Sequence, residues 1–253
     1  MVAVDVRLVT SSVGAPGLCM HPVCTLDGGP MSRARFRNRV DAGRQLAAAL
    51  EQYATRSNLL VLALPRGGVP VGYEIARRLN APLDLMLVRK LGVPGHEELA
   101  MGAIASGGIR IVSEDVVATF AIPERVIATV AANEEEELDR RARLYRDQLP
   151  PPAITGRTII LVDDGLATGS TMRAAALALQ AQDPERLIVA VPVAPPETCA
   201  ELGREVDEVC CLVTPDPFFS VGNWYEDFSQ ITDDEVRYLL DTEGGRLETS
   251  RWR

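Results

Sequence analysis

The sequence contains no run of about 18 apolar residues, the length a membrane-spanning helix needs. It also lacks a basic excess. The formal net charge is −9, which argues against a general nucleic-acid surface but leaves room for a local basic pocket. Its five cysteines are Cys19, Cys24, Cys199, Cys210 and Cys211, an odd number with two adjacent, which argues against a disulfide framework. The opening residues make a poor signal peptide, since Asp5 and Arg7 interrupt a weak apolar stretch. A cytoplasmic protein is expected. There is no GxxxxGK[ST] loop, no internal repeat and no low-complexity tract. Cys19, His21 and Cys24 lie close together, but a structural zinc site takes about four ligands and no partner cluster is present.

What remains has the composition of a globular domain, 47% hydrophobic and 24% charged over 253 residues. Residues 1–30, rich in Gly, Pro, Ser and Thr, are expected to be a disordered leader, with Met31 a second candidate start. A domain is expected over 31–240 and a flexible tail over 241–253. Short aliphatic runs then alternate with helical patterns. Strands are predicted at 58–64, 83–92, 107–113, 157–165, 186–194 and 208–215. Helices are predicted from Phe36, over 71–80, within 114–148, and over 170–182 and 196–206. Continuous apolar strands alternating with helices imply an α/β fold, a mostly parallel sheet with helices on both faces. The charged helical stretch 114–150 is expected as an insertion. Its solvated face carries spacings such as Glu136–Arg140 and Glu137–Arg141.

The segment IILVDDGLATGST (159–171) is the most informative. Four aliphatic residues suit a buried strand. Asp163 and Asp164 then fall at its carboxyl end, where ligands bind in open parallel sheets. Gly165 and Gly169 permit tight turns. The free N–H groups of the following helix start, with the hydroxyls of Thr168, Ser170 and Thr171, suit a phosphate. Acids repel phosphate but accept hydrogen bonds from sugar hydroxyls, so a sugar phosphate satisfies both halves. A Walker B strand also ends in acids, but it lacks its P-loop partner here. A receiver-domain phosphoacceptor pair and a plain strand–turn–helix are the other readings.

This segment resembles the ribose-5-phosphate loop of type I phosphoribosyltransferases, which bind phosphoribosyl pyrophosphate (PRPP). The resemblance implies that Asp163 and Asp164 hold the ribose hydroxyls. It assigns the 5′-phosphate to Ala167, Thr168, Gly169, Ser170 and Thr171. LALPRGGVPVG (62–72) resembles the family's pyrophosphate loop, which implies contacts from Arg66, Gly67 and Gly68; an arginine fork grips phosphate oxygens in pairs. VRKLGVPGHEELAMG (88–102) resembles the stretch entering the mobile catalytic loop and is closest to adenine phosphoribosyltransferases. Arg89 and Lys90 would then face the leaving pyrophosphate. Glu97, Glu98 or His96 would handle the acceptor's proton, with Glu97 preferred.

The resemblance covers roughly residues 35–240 and weakens in 114–148 and towards the C-terminus. Where oxopurine enzymes carry a further Asp, this chain has Ala167, a departure that argues against hypoxanthine and guanine. Mg²⁺ is implied as cofactor, touched by Asp163 or Asp164 only through water or substrate. A homodimer is expected. The expected activity is phosphoribosyl transfer from PRPP to a nitrogenous base or related acceptor. A PRPP sensor without turnover and a PRPP or nucleotide hydrolase are the rivals. The cluster DPFFSVGNWYEDF (216–228) gathers five of the few aromatic residues and is expected either to stack on a base or to pack a core or interface.

Overall fold

Two sheets hold the strands found among residues 4–8, 23–24, 35–106, 108–146 and 150–241, the residues that the computed structural model describes. In chain order the elements are β1 (Val4–Leu8), β2 (Val23–Cys24), α1 (Arg39–Ala49), β3 (Leu59–Ala63), α2 (Gly68–Leu79), β4 (Leu83–Leu85), β5 (Val88–Val93), β6 (His96–Ala105), β7 (Ile109–Ser113), α3 (Glu114–Thr119), α4 (Glu124–Arg146), β8 (Thr158–Val162), α5 (Ser170–Gln180), β9 (Arg186–Val193), α6 (Pro196–Leu202), β10 (Glu208–Val213) and α7 (Asp233–Asp241). They fall into two compact units. One comprises Met1–Met20, Leu87–Ala153 and Ser170–Gln182; the other comprises His21–Met86, Ile154–Gly169 and Asp183–Arg253.

The larger unit is built on a sheet of order β2-β10-β9-β8-β3-β4, parallel at every pairing. Its strands form where the sequence runs aliphatic without alternation. Every residue of β3 and β8 is buried, as a parallel sheet covered on both faces requires. The chain steps from β3 outward to β4 on one side, and from β8 through β9 to β10 on the other. The β3–β8 boundary is therefore the switch point, where open α/β sheets form their ligand crevice. Ala63 pairs with Val162, so the two strands end level and their following loops leave side by side.

Helices α1 and α2 pack closely in this unit. Asn38 caps α1 by accepting the Asp41 N–H at 3.0 Å. A Cβ added to Gly43 of α1 would lie 2.9 Å from the Val71 carbonyl oxygen and 3.0 Å from Val71 Cα. Alanine's better helix propensity is worth about 1 kcal/mol, whereas forcing two backbones apart costs about 1–3 kcal/mol. Gly43→Ala is therefore expected to lower stability by about 1 kcal/mol, measurable as a lower midpoint in urea unfolding.

The smaller unit has a sheet of order β1-β7-β6-β5, in which β1 and β7 are parallel and the other pairs antiparallel. Here the structure departs from the sequence expectation. Residues 83–92, predicted as one strand, divide into β4 and β5. Residues 88–102, expected to lead into a mobile loop, form most of a β5–β6 hairpin that turns at Pro94–Gly95, with Gly95 at φ 81°. The helices expected within 114–150 are present as α3 and α4, and the unit that holds them also carries this sheet. On α4, Glu137 pairs with Arg140 at 2.7 Å and Arg141 at 2.8 Å, and those hydrogen bonds hold its carboxyl well below the usual range.

The stretch expected as a leader contains β1, paired with β7, and β2, paired with β10. The rest of that stretch, and the expected tail beyond Asp241, lie outside the described residues. Cys199, Cys210 and Cys211 are buried in the larger unit. Among the described residues no helix is long and apolar enough to cross a membrane.

Candidate functional site

The loops leaving β3 and β8 build the site. Leu64 donates its N–H to the Val162 carbonyl at 2.9 Å, extending the sheet pairing past the strand ends. The chain then turns through Pro65–Arg66, a cis peptide, and Gly67 enters α2. Gly67 and Gly68 pass so close to the acid pair that no side chain fits. A Cβ on Gly67 would lie 2.0 Å from Asp164 Oδ2, and one on Gly68 would lie 2.7 Å from the Val162 carbonyl oxygen and 2.9 Å from Asp163 Cα. The segments 66–68 and 163–164, far apart in sequence, thus form one surface at the carboxyl end of the sheet. Arg66 is about one-third exposed beside them, 3.9 Å from Asp233 at the start of α7.

The acids sit in unlike environments. Asp163 Oδ1 accepts the Asp164 backbone N–H at 2.8 Å. Burial, and then the charge of Asp164, push the Asp163 carboxyl well above the usual carboxylate range. Asp164 is also pushed up by burial, and Arg39 works against that shift, with its Nε 2.8 Å from Asp164 Oδ2. Both acids keep partial solvent access.

The loop after the acids is braced along its length. Leu166 donates to the Val193 carbonyl at 2.9 Å. Thr198 of α6 donates its hydroxyl to the Ala167 carbonyl at 2.9 Å. Gly169 adopts φ 69°, and a Cβ there would lie 2.8 Å from Thr198 Cγ2, so both conformation and space call for glycine. Ala167 and Thr168 are exposed, and the loop runs directly into Ser170 and Thr171, which open α5.

Three further residues surround the acids; Arg39 carries no local sequence signal, whereas Tyr225 and Phe228 lie in the aromatic cluster 216–228. Arg39 is buried at the start of α1, and its Nη1 donates to the Ser229 carbonyl at 2.7 Å. Tyr225, 3% exposed, donates its hydroxyl to the Asp164 carbonyl at 2.6 Å. Phe228 lies under the Arg39 guanidinium, 3.9 Å from ring centroid to Cζ. The aromatic cluster therefore divides. Tyr225 and Phe228 pack behind the acids, whereas Phe219 is 79% exposed. The extended residues before α1 pair with this segment. Phe36 donates to the Trp224 carbonyl at 2.9 Å and Glu226 donates to the Phe36 carbonyl at 2.8 Å, which delivers Arg39 to Asp164.

The remaining predicted residues belong to the smaller unit. Arg89 and Lys90 lie on β5, and Arg89 is held by Glu134 of α4 at 2.5 Å. Glu97 lies on β6, and its side chain is outside the described residues. The His96 ring packs against Phe120, with centroids 5.7 Å apart.

Comparison with known proteins agrees with this architecture. The family model described as "Phosphoribosyl transferase domain" matches residues 34–222. Two Mycobacterium tuberculosis sequences, from strains CDC 1551 and H37Rv and each named "Putative phosphoribosyl transferase", are 45% identical over 209 residues, covering 81% of this chain and 46% of theirs. The chain thus spans about half the length of these curated relatives. The crystal structure of TT1426 from Thermus thermophilus superposes with a TM-score of 0.76 at 42% identity, covering 81% of this chain and 97% of that one. On the family match and these relatives, the chain belongs to the phosphoribosyl transferase domain family.

Proposed function

We propose that this chain transfers the 5-phosphoribosyl group from PRPP to a nitrogenous acceptor with release of pyrophosphate. The observation that carries the reading is the fit between Gly67–Gly68 and the acid pair. Backbone presses directly on Asp163 and Asp164 at the sheet switch point, leaving acids and an anion-binding loop in one crevice. Asp163 and Asp164 accept hydrogen bonds from the ribose hydroxyls. Ala167, Thr168, Gly169, Ser170 and Thr171 hold the 5′-phosphate. Arg66, with the backbone of Gly67 and Gly68, takes the pyrophosphate. Breaking the anomeric bond builds positive charge on the ribose and negative charge on the leaving group, so the site's work is to position both and neutralise the second.

The donor set suits Mg²⁺ held mainly by substrate and water. It is all oxygen, and no cluster of three or more His, Cys, Asp or Glu occurs among the described residues. Asp163 and Asp164 would hold the ion through water, where it supplies charge neutralisation on the pyrophosphate. Arg89 and Lys90 are proposed to assist the leaving group, and Glu97 to take the acceptor's proton. A cytoplasmic homodimer is the proposed setting.

The test is pyrophosphate release from PRPP with Mg²⁺ across a panel of purine, pyrimidine and other nitrogenous acceptors, with a no-acceptor control and calorimetry of PRPP in the same samples. Release that requires one acceptor is expected and names the substrate. Release without any acceptor makes the protein a hydrolase, and tight binding without release makes it a sensor.

A further inference from the structure

We infer that Thr198 of α6 is the positioning residue of the loop that takes the 5′-phosphate. Its side chain holds both ends of the turn at residues 167–169 and sets which way the backbone there faces. This role rests on the PRPP reading above and deepens it, because that reading names the residues that meet the phosphate but nothing that holds them in place.

Thr198 and the turn both belong to the larger unit. Thr198 is 6% exposed, and a buried hydroxyl needs a partner. A threonine within a helix commonly turns its hydroxyl back on the carbonyl four residues before it. This one reaches instead to the Ala167 carbonyl, 31 residues away in sequence, at 2.9 Å. The methyl of the same side chain faces Gly169, where an added Cβ would lie 2.8 Å from Thr198 Cγ2. One β-branched side chain, stiff at χ1, therefore meets both ends of the turn. Its base is firm. Pro196 opens α6, the Cys199 N–H donates to the Pro195 carbonyl at 3.1 Å, and Cys199 and Leu202 are buried.

The bond to Ala167 fixes the direction of a backbone amide. The peptide between Ala167 and Thr168 is trans, so its C=O and N–H lie on opposite edges. Fastening the Ala167 carbonyl to α6 turns the Thr168 N–H away from α6, to the edge on which Ala167 and Thr168 are exposed. Gly169 follows in the left-handed region at φ 69°, the kind of bend that gathers backbone N–H groups around an anion. The flipped peptide would present its carbonyl oxygen to the same place and repel a phosphate. The Thr198 hydroxyl thus favours the orientation that binds over the one that rejects. Arg66, Gly67 and Gly68 leave β3 on a different loop, so the effect is confined to the ribose-phosphate end of the ligand.

The test is calorimetry of PRPP, ribose 5-phosphate and pyrophosphate, each with Mg²⁺, against wild type, Thr198→Val and Thr198→Ser. Valine keeps the shape and removes the hydroxyl, whereas serine keeps the hydroxyl and drops the methyl. Thr198→Val is expected to weaken PRPP and ribose 5-phosphate by one common factor of about 3- to 10-fold, the range of one lost hydrogen bond. Pyrophosphate, bound by the other loop, is expected to change by less than about twofold. Thr198→Ser, which retains the bond, is expected to bind all three within about twofold of wild type. A merely structural threonine would lower the unfolding midpoint and weaken all three ligands alike, and that pattern overturns the role. So does a Thr198→Ser variant that binds ribose 5-phosphate as poorly as Thr198→Val. Should Thr198→Val fail to fold, Thr198→Ala against Thr198→Ser gives the same contrast in the hydroxyl, with the same ratio expected. If wild type binds neither PRPP nor ribose 5-phosphate, the functional reading itself fails. If it binds both and Thr198→Val matches it, only the positioning role fails.

Discussion

Gly67→Ala is expected to reduce PRPP affinity by about 100-fold or more, equivalent to about 2.7 kcal/mol. The backbone of Gly67 is in the ordinary right-handed region, φ −61° and ψ −35°, so alanine brings no conformational strain and the whole effect is spatial. The new methyl would lie 2.0 Å from Asp164 Oδ2 and 2.5 Å from its Cγ. Side-chain ends usually move aside cheaply, but this one is clamped by Arg39 at 2.8 Å in a buried ion pair. Either the carboxylate leaves Arg39, which strands a buried charge, or the Arg66–Gly68 backbone retreats from the crevice. Both outcomes dismantle the side of the crevice proposed to take the pyrophosphate. Calorimetry of PRPP against the variant checks the size of the loss. Adding Asp164→Ala to Gly67→Ala removes the atoms in conflict but leaves the buried Arg39 guanidinium without its carboxylate, so it is expected to recover neither stability nor affinity. Unchanged PRPP binding by Gly67→Ala would mean that this loop does not contact the ligand.

The parts of the fold that are legible in the sequence are those where local pattern and tertiary demand coincide. β3, β8, β9 and β10 are aliphatic runs buried along almost their whole length, and no competing structure suits them. The acid pair at the end of β8 is legible for the same reason, since a carboxylate pair directly after a buried strand has to lie at its rim. Helix α2 starts three residues before its predicted start, because Gly-Gly-Val-Pro resembles a loop. The structure shows Pro70 in the first turn, where no intrahelical donor is missed.

β6 has no counterpart among the predicted strands. Its Gly102 looks like a loop residue but is required by close strand approach, since a Cβ there would lie 2.2 Å from the Ile111 carbonyl oxygen. β1 and β2 are short strands recruited by distant partners, β7 and β10; the two-residue β2 has no pattern of its own, while β1 shows only the brief alternation Val4, Val6, Leu8. Arg39 is the plainest case. It bonds a residue 125 positions away, and within RFRNRVDAG it is one of several arginines that read as a solvated helix start.

Asp163→Asn is expected to stabilise the fold while reducing pyrophosphate release by about 10- to 150-fold, the effect of losing one charged acceptor for a ribose hydroxyl at about 1.5–3 kcal/mol. The stability half follows from the direction of the Asp163 shift. Burial and the neighbouring Asp164 charge raise its carboxyl in the folded state well above the value it has in the unfolded chain. Between those two values the folded protein holds a proton that the unfolded chain has released, so stability falls as pH rises through that window. Below the unfolded value the acid costs nothing, and above the raised value the full cost of a buried, repelled charge is present. Asparagine is nearly isosteric and never ionises. The variant should therefore unfold at a higher midpoint than wild type above the window and match it at the acid end, with a flatter pH dependence between. A ligand whose hydroxyls donate to the ionised carboxylate must displace that proton, so PRPP binding by wild type should release protons and tighten with rising pH until the raised value is passed. Calorimetry in buffers of different ionisation enthalpy reads the release directly, and Asp163→Asn should abolish it. A variant that is less stable than wild type above the window, or that still releases the proton on binding PRPP, would show that Asp163 is not the group that carries the charge in this crevice.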